Sequence, residues 1–167
     1  MGVALGLDVG ERRIGVARSD PSGLLATPLT TVVRTSDRAA VAAIRALVQE
    51  NGVELLVVGW PDTEAGTPSV QAQRVDAFAR KLRVIPGVRV VFWSERFSTA
   101  TAGEQLREAG HRPRGRRGRT REAARRQLDA AAAAVILQDF LDQQPRSTAP
   151  APPAPPAAPP LEPERRL

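Results

Sequence analysis

Residues 1–143 predict an α/β fold, a mixed five-stranded sheet flanked by helices, followed by a disordered tail over 144–167. Two observations predict the sheet. Three extended runs follow one another near the N-terminus with only turn residues between them, the pattern of an antiparallel meander. Two later apolar runs lack alternation and each follows a helical period, the pattern of strands buried on both faces and joined by right-handed parallel crossovers. A third observation sets the tail apart. From Gln144 the composition collapses to proline, alanine and charge, and Pro150 to Pro163 reads as extended polyproline.

Val3, Leu5, Leu7 and Val9 alternate to one face of the first strand, because successive side chains point to opposite faces. Ala4, Gly6 and Asp8 share the other face, so an acid sits there among small neighbours. A turn at Gly10–Arg12 leads to a second strand, Arg13–Arg18. Asp20-Pro21-Ser22-Gly23 is a second turn. Leu24–Val33 forms a third, less regular strand, and Pro28 puts it at an edge or bulge. Ser36 caps a helix that begins at Asp37, buries Val41, Ile44, Leu47 and Val48, and stops at Gly52. Glu54–Gly59 is the fourth strand. After the loop GWPDTEAG, Thr67 caps a helix with Pro68 at its first position and Val75, Phe78, Ala79 and Leu82 inward. Val88–Trp93 is the fifth strand, and Ser98 or Thr99 opens a helix to Gly110. A flexible basic loop over 110–121 precedes a closing helix from Arg121 to Asp142.

The net charge of +6 is local rather than global. Between His111 and Gln127 eight arginines face Glu122 alone, which by itself outweighs the charge of the whole chain. Flexible Arg/Gly segments track a phosphate backbone without reading its sequence, although such a stretch also serves as a plain soluble connector. No apolar run approaches the roughly 20 residues of a membrane span, so no membrane partner is expected. The N-terminus lacks the pattern of a signal peptide. The absence of cysteine excludes disulfides and thiolate metal sites and agrees with a cytoplasmic location.

Parallel strands would bring the end of the first strand, the GWP loop and Glu95 to one sheet edge, where open α/β sheets bind ligands. Asp129 lies on the closing helix, whose Ala130, Ala132 and Ala133 form a thin face matching Ala4 and Gly6. Taken alone, each acid has an ordinary structural role. Asp8 fits a hairpin brace, and Glu95, Asp129, Asp139 and Asp142 fit a solvated surface. Taken together, three converging carboxylates need a counter-charge. Hard oxygen ligands, with His111 as the one histidine, favour Mg2+ or Mn2+ over zinc. Two such ions about 3.5–4 Å apart suit phosphodiester hydrolysis. Arg12, Arg13, Arg96, Ser98, Thr99, Arg112, Arg114, Arg116, Arg117 and Arg119 are the candidate nucleic-acid contacts.

Four segments in order, GLDVGERRIGVARSD, VVGWP with the later AGT, SERFSTATA and LDAAAAAVILQDFLD, together resemble the YqgF/RuvX family of Holliday junction resolvases in the RNase H-like superfamily. The resemblance runs from about Val3 to Asp142. It implies a divalent-metal nuclease in which Asp8, Glu95 and Asp129 match the family's acids. It also implies one of two substrates, branched DNA or the precursor of small-subunit ribosomal RNA. Ser94 stands where the family has an aspartate before the glutamate. A two-fold junction would favour a homodimer. Two other classes remain open at this point, a non-catalytic nucleic-acid binder and an actin-type phosphotransferase. For the latter the chain is too short and lacks a second phosphate hairpin.

Overall fold

The computed structural model describes residues 2–61, 69–94 and 121–144. The sheet has five strands in the order β3-β2-β1-β4-β5. They are β1 (Val3–Val9), β2 (Arg13–Ser19), β3 (Ala26–Val33), β4 (Val53–Trp60) and β5 (Arg89–Ser94). β1, β2 and β3 pair antiparallel, and β1–β4 and β4–β5 pair parallel. This is the mixed sheet expected, a meander with two parallel strands added. The described helices are α1 (Asp37–Asn51), α2 (Val70–Leu82) and α3 (Arg121–Gln143).

Local sequence explains most boundaries. The Ser36 hydroxyl accepts the N–H of Ala39 to cap α1, and Gly52 ends it at φ 61°, where a side chain would be strained. Pro28 sits both at an edge strand and at a bulge, since Val16 pairs with Thr30 and Ala17 with Pro28. Two expectations need correction. β3 begins at Ala26 rather than Leu24, because the Asp20 carboxylate accepts the N–H groups of Leu24 and Leu25 at 2.7 and 2.8 Å. Those bonds close residues 20–25 into a loop. The Ser22 hydroxyl, followed by those backbone donors, holds the Asp20 carboxyl down at about 2. The cap of α2 is Ser69 and not Thr67, since the Ser69 hydroxyl accepts the N–H of Ala72. The expected helix from Ser98 or Thr99 to Gly110, the basic loop and the tail beyond residue 144 lie outside the described residues.

Each sheet face has its own core. On one, Leu5, Leu7, Ile14, Val16, Leu56 and Val58 pack against Ile44 and Val48 of α1 and Val75, Phe78 and Leu82 of α2. On the other, Ala4, Ala17, Leu55 and Val57 meet Ala133, Ile136, Leu137, Phe140 and Leu141 of α3. That α3 spacing is one helical stripe.

Candidate active site

β1 carries Asp8 near its carboxyl end, half-buried, on the face of Ala4 and Gly6. In register its partner on β2 is Gly15. Antiparallel partners lie about 4.5–5.5 Å apart between Cα atoms and project to the same face. Both residues therefore look towards α3.

Glycine lets α3 come down onto this face. A Cβ on Gly6 would stand 2.6 Å from Leu137 Cβ and 2.8 Å from the Ala133 carbonyl oxygen. One on Gly59 would stand 2.6 Å from Ile136 Cδ1, and one on Gly15 only 1.8 Å from the Asp129 carbonyl oxygen. Each of the three central strands thus contributes a glycine beneath the helix. At Gly15 the main chain of Asp129 rests directly on the residue paired with Asp8.

Two polar anchors set the position of α3 along the sheet. The Thr31 hydroxyl donates to the Arg126 carbonyl at 2.6 Å, at the level of Gly15, Thr31's partner. At the other end the Gln138 side chain accepts the Ala26 N–H at 2.9 Å and donates to the Leu24 carbonyl at 3.0 Å. Between β3 and α3, a surface cavity of about 440 Å3 is lined by residues including Thr30, Thr31, Arg126 and Gln127.

Arg13, one of the candidate nucleic-acid contacts, is engaged within the fold. Its Nε donates to Asp129 Oδ2 at 2.8 Å, across 116 residues of sequence. Nothing in local periodicity announces this pair, because it depends on where α3 lands. Arg12 is exposed, and its carbonyl accepts the Arg34 N–H at 2.8 Å. Arg34 stiffens the β1–β2 turn. It donates to the Gly10 carbonyl at 3.0 Å, pairs with Asp37 and lies 4.7 Å over the Phe78 ring. Gln71 at the start of α2 donates to the Val9 carbonyl at 3.0 Å, tying down the residue after Asp8.

Trp60 and Trp93 are half-buried packing residues. Trp60 packs edge-on against Phe92, and Trp93 against Phe140 with centroids 5.3 Å apart. Trp93 Nε1 also donates to Asp139 Oδ2 at 2.7 Å, so Asp139 braces α3 against β5 and is more than a solvated acid. β5 ends at Ser94, in register with Trp60. Glu95, the residue that follows, lies outside the described residues. So do Arg96, Ser98, Thr99, Arg112, Arg114, Arg116, Arg117 and Arg119.

Residues 2–143 match the RuvX family, described as Holliday junction resolvase. The chain belongs to that family. Holliday junction resolvases are nucleases, and so this chain is a hydrolase of the family's class. A relative from Syntrophus aciditrophicus, named "Putative pre-16S rRNA nuclease", is 44% identical over 138 residues, 83% of this chain and 87% of its own. One of the same name from Moorella thermoacetica is 45% identical over 139 residues, covering 83% and 94%. The fold is that of the Thermus thermophilus RuvC in complex with a Holliday junction substrate, at TM-score 0.53 and 15% identity, over 85% of this chain and 96% of that one.

Among the described residues no cluster of three metal-ligating side chains occurs. Two residues with hard-oxygen side chains meet at Gly15, since Asp8 is its partner in the sheet and the main chain of Asp129 rests on it. That donor set fits Mg2+ or Mn2+, which bind through one or two carboxylates plus water. Also among the described residues, no helix is long and apolar enough to cross a membrane.

Proposed function

We propose that the chain is a divalent-metal-dependent endonuclease that cuts branched DNA, with Asp8, Glu95 and Asp129 as its catalytic and metal-binding acids. The approach of α3 over Gly15 carries this reading. It supports the convergence of Asp8 and Asp129 from opposite ends of the folded chain onto one spot of the sheet. Bound Mg2+ or Mn2+, two ions in the full site, would activate water and stabilise the leaving oxygen. The protein's part is to hold the carboxylates on main chain that cannot shift. Arg12, Arg13, Arg96, Ser98, Thr99, Arg112, Arg114, Arg116, Arg117 and Arg119 are assigned to phosphate contacts. A homodimer matches the two-fold symmetry of a four-way junction. The place of action on this reading is the cytoplasm.

The names of the 44–45% identical relatives favour a second reading, the same hydrolysis on a pre-16S rRNA substrate. Metal-assisted hydrolysis acts on the phosphodiester and not the base, so the same acids serve both. Matched four-way DNA and rRNA-precursor substrates, incubated in Mn2+, separate the two. Incision of the junction, reduced at least about a hundredfold by Asp8→Asn, supports the first. Cutting of the RNA alone transfers the activity to the second. Salt-sensitive binding with no metal-dependent cleavage of either would make the chain a non-catalytic binder.

A further inference from the structure

The Arg13–Asp129 pair is not needed to place the main chain of Asp129. The main chain of Asp129 is already held by its seat on Gly15 and by the Thr31–Arg126 bond one turn earlier. What Arg13 adds is charge. Its guanidinium stands 2.8 Å from Oδ2, with the two side chains 27% and 28% exposed. A carboxylate oxygen so engaged is partly neutralised for any other cation, and a positive group at that distance repels a divalent ion. The arginine stem is long and rotatable, and it rises from a strand end beside a turn, so the head can move while the backbone stays.

We propose that Arg13 is a tethered cation that competes with divalent metal for Asp129 and thereby sets the metal affinity of the site. This rests on the reading of Asp129 as a metal ligand. Metal and guanidinium exclude one another at Oδ2. By linkage, any anion that draws the Arg13 head away raises metal affinity by the factor with which metal frees that head. A substrate phosphate is such an anion. Arg13 therefore couples metal loading to substrate arrival and acts as a positioning residue.

The test is the dissociation constant for Mn2+ alone, by calorimetry without nucleic acid, in the wild-type chain and three variants. Arg13→Gln removes the competing charge and tightens Mn2+ binding about fivefold, the scale of a part-exposed ion pair. Arg13→Lys keeps the charge and stays near wild type. An Arg13→Gln affinity that is unchanged or weaker overturns the proposal. Asp129→Asn separates the two levels. If it binds Mn2+ as the wild type does, Asp129 is no ligand and the underlying reading fails. If it loses Mn2+ while Arg13→Gln changes nothing, only the competition fails. A measurement on the unaltered chain guards against a variant that does not fold. Titration with Mg2+ shifts the Arg13 Nε–H resonance and speeds its exchange with water. A resonance that stays put while Mg2+ saturates the protein overturns the competition.

Discussion

The two faces of this sheet use the same five strands and differ in the size of what they present. Towards α1 and α2 stand leucine, isoleucine and valine, fully buried. Towards α3, Leu55 and Val57 share the face with the small residues Ala4, Gly6, Gly15, Ala17 and Gly59. Large side chains gain stability from apolar area removed from water, and helix main chain stays at a distance from them. Glycine gives up that area, and in exchange helix main chain reaches strand main chain. The first face holds the fold together. The second places an acid of α3 beside an acid of β1.

Substitutions on the two faces should therefore fail in different ways. Phe78, fully buried between α2 and the sheet, is the largest single loss. Phe78→Ala should cost about 3–5 kcal/mol through lost burial and the cavity left behind. It also removes the ring beneath Arg34. Chemical denaturation would read the loss as a lower midpoint. Below that midpoint the molecules still folded should keep wild-type Mn2+ affinity, since α3 is untouched. A changed affinity would show that the faces are not independent.

Gly15→Ala should cost less stability and more function. Its Cβ would meet a helix carbonyl at 1.8 Å, an atom of main chain that no rotamer can move aside. The helix must lift or slide, at about 1–3 kcal/mol for an overpacked contact. Hydrogen exchange should show loss of protection concentrated in α3 while β1, β2 and α1 keep theirs. Cleavage should fall with it, because Asp129 leaves the level of Asp8. Even loss of protection across all strands would mean that Gly15 serves the whole fold rather than the docking of one helix.

How far the sequence disclosed these faces follows from what each depends on. The alternation of Val3 to Val9, the caps Ser36 and Gly52 and the unbroken run of β4 are local patterns, and they appear in the structure nearly where periodicity puts them. The thin face was legible too, as Ala4 and Gly6 opposite an alanine-rich helix. Contacts that depend on the height of α3 were not. The Arg13–Asp129 and Trp93–Asp139 pairs join residues whose relative height is set by the glycine seats and by Thr31 and Gln138. No spacing encodes that height. The late end of the β2–β3 turn, at Leu25 rather than Gly23, is not legible in the spacing because Asp20 competes for backbone donors that a strand would otherwise use.

The smallest expected effect sharpens the comparison at the rim of the aliphatic face. Asp37, in the first turn of α1, meets Lys81 of α2 and Arg34 after β3. The hydrogen bond from Lys81 leads in holding its carboxyl below the usual 3.8, with Arg34 adding to it and burial opposing both. A carboxyl whose folded value is depressed contributes stability that is present above its unfolded value. That stability is lost as pH falls from about 3.8 through the lower folded value. Lys81 is 53% exposed, so solvent screens much of the attraction and the contribution is about 0.5 kcal/mol. Lys81→Met should lower stability by that amount at pH 6 and by almost nothing at pH values below the folded titration. The difference between the two chains should close as the solution is acidified. A gap that stays constant with pH would mean that Lys81 acts there through its aliphatic stem, and that the link between α1 and α2 is apolar to its edge.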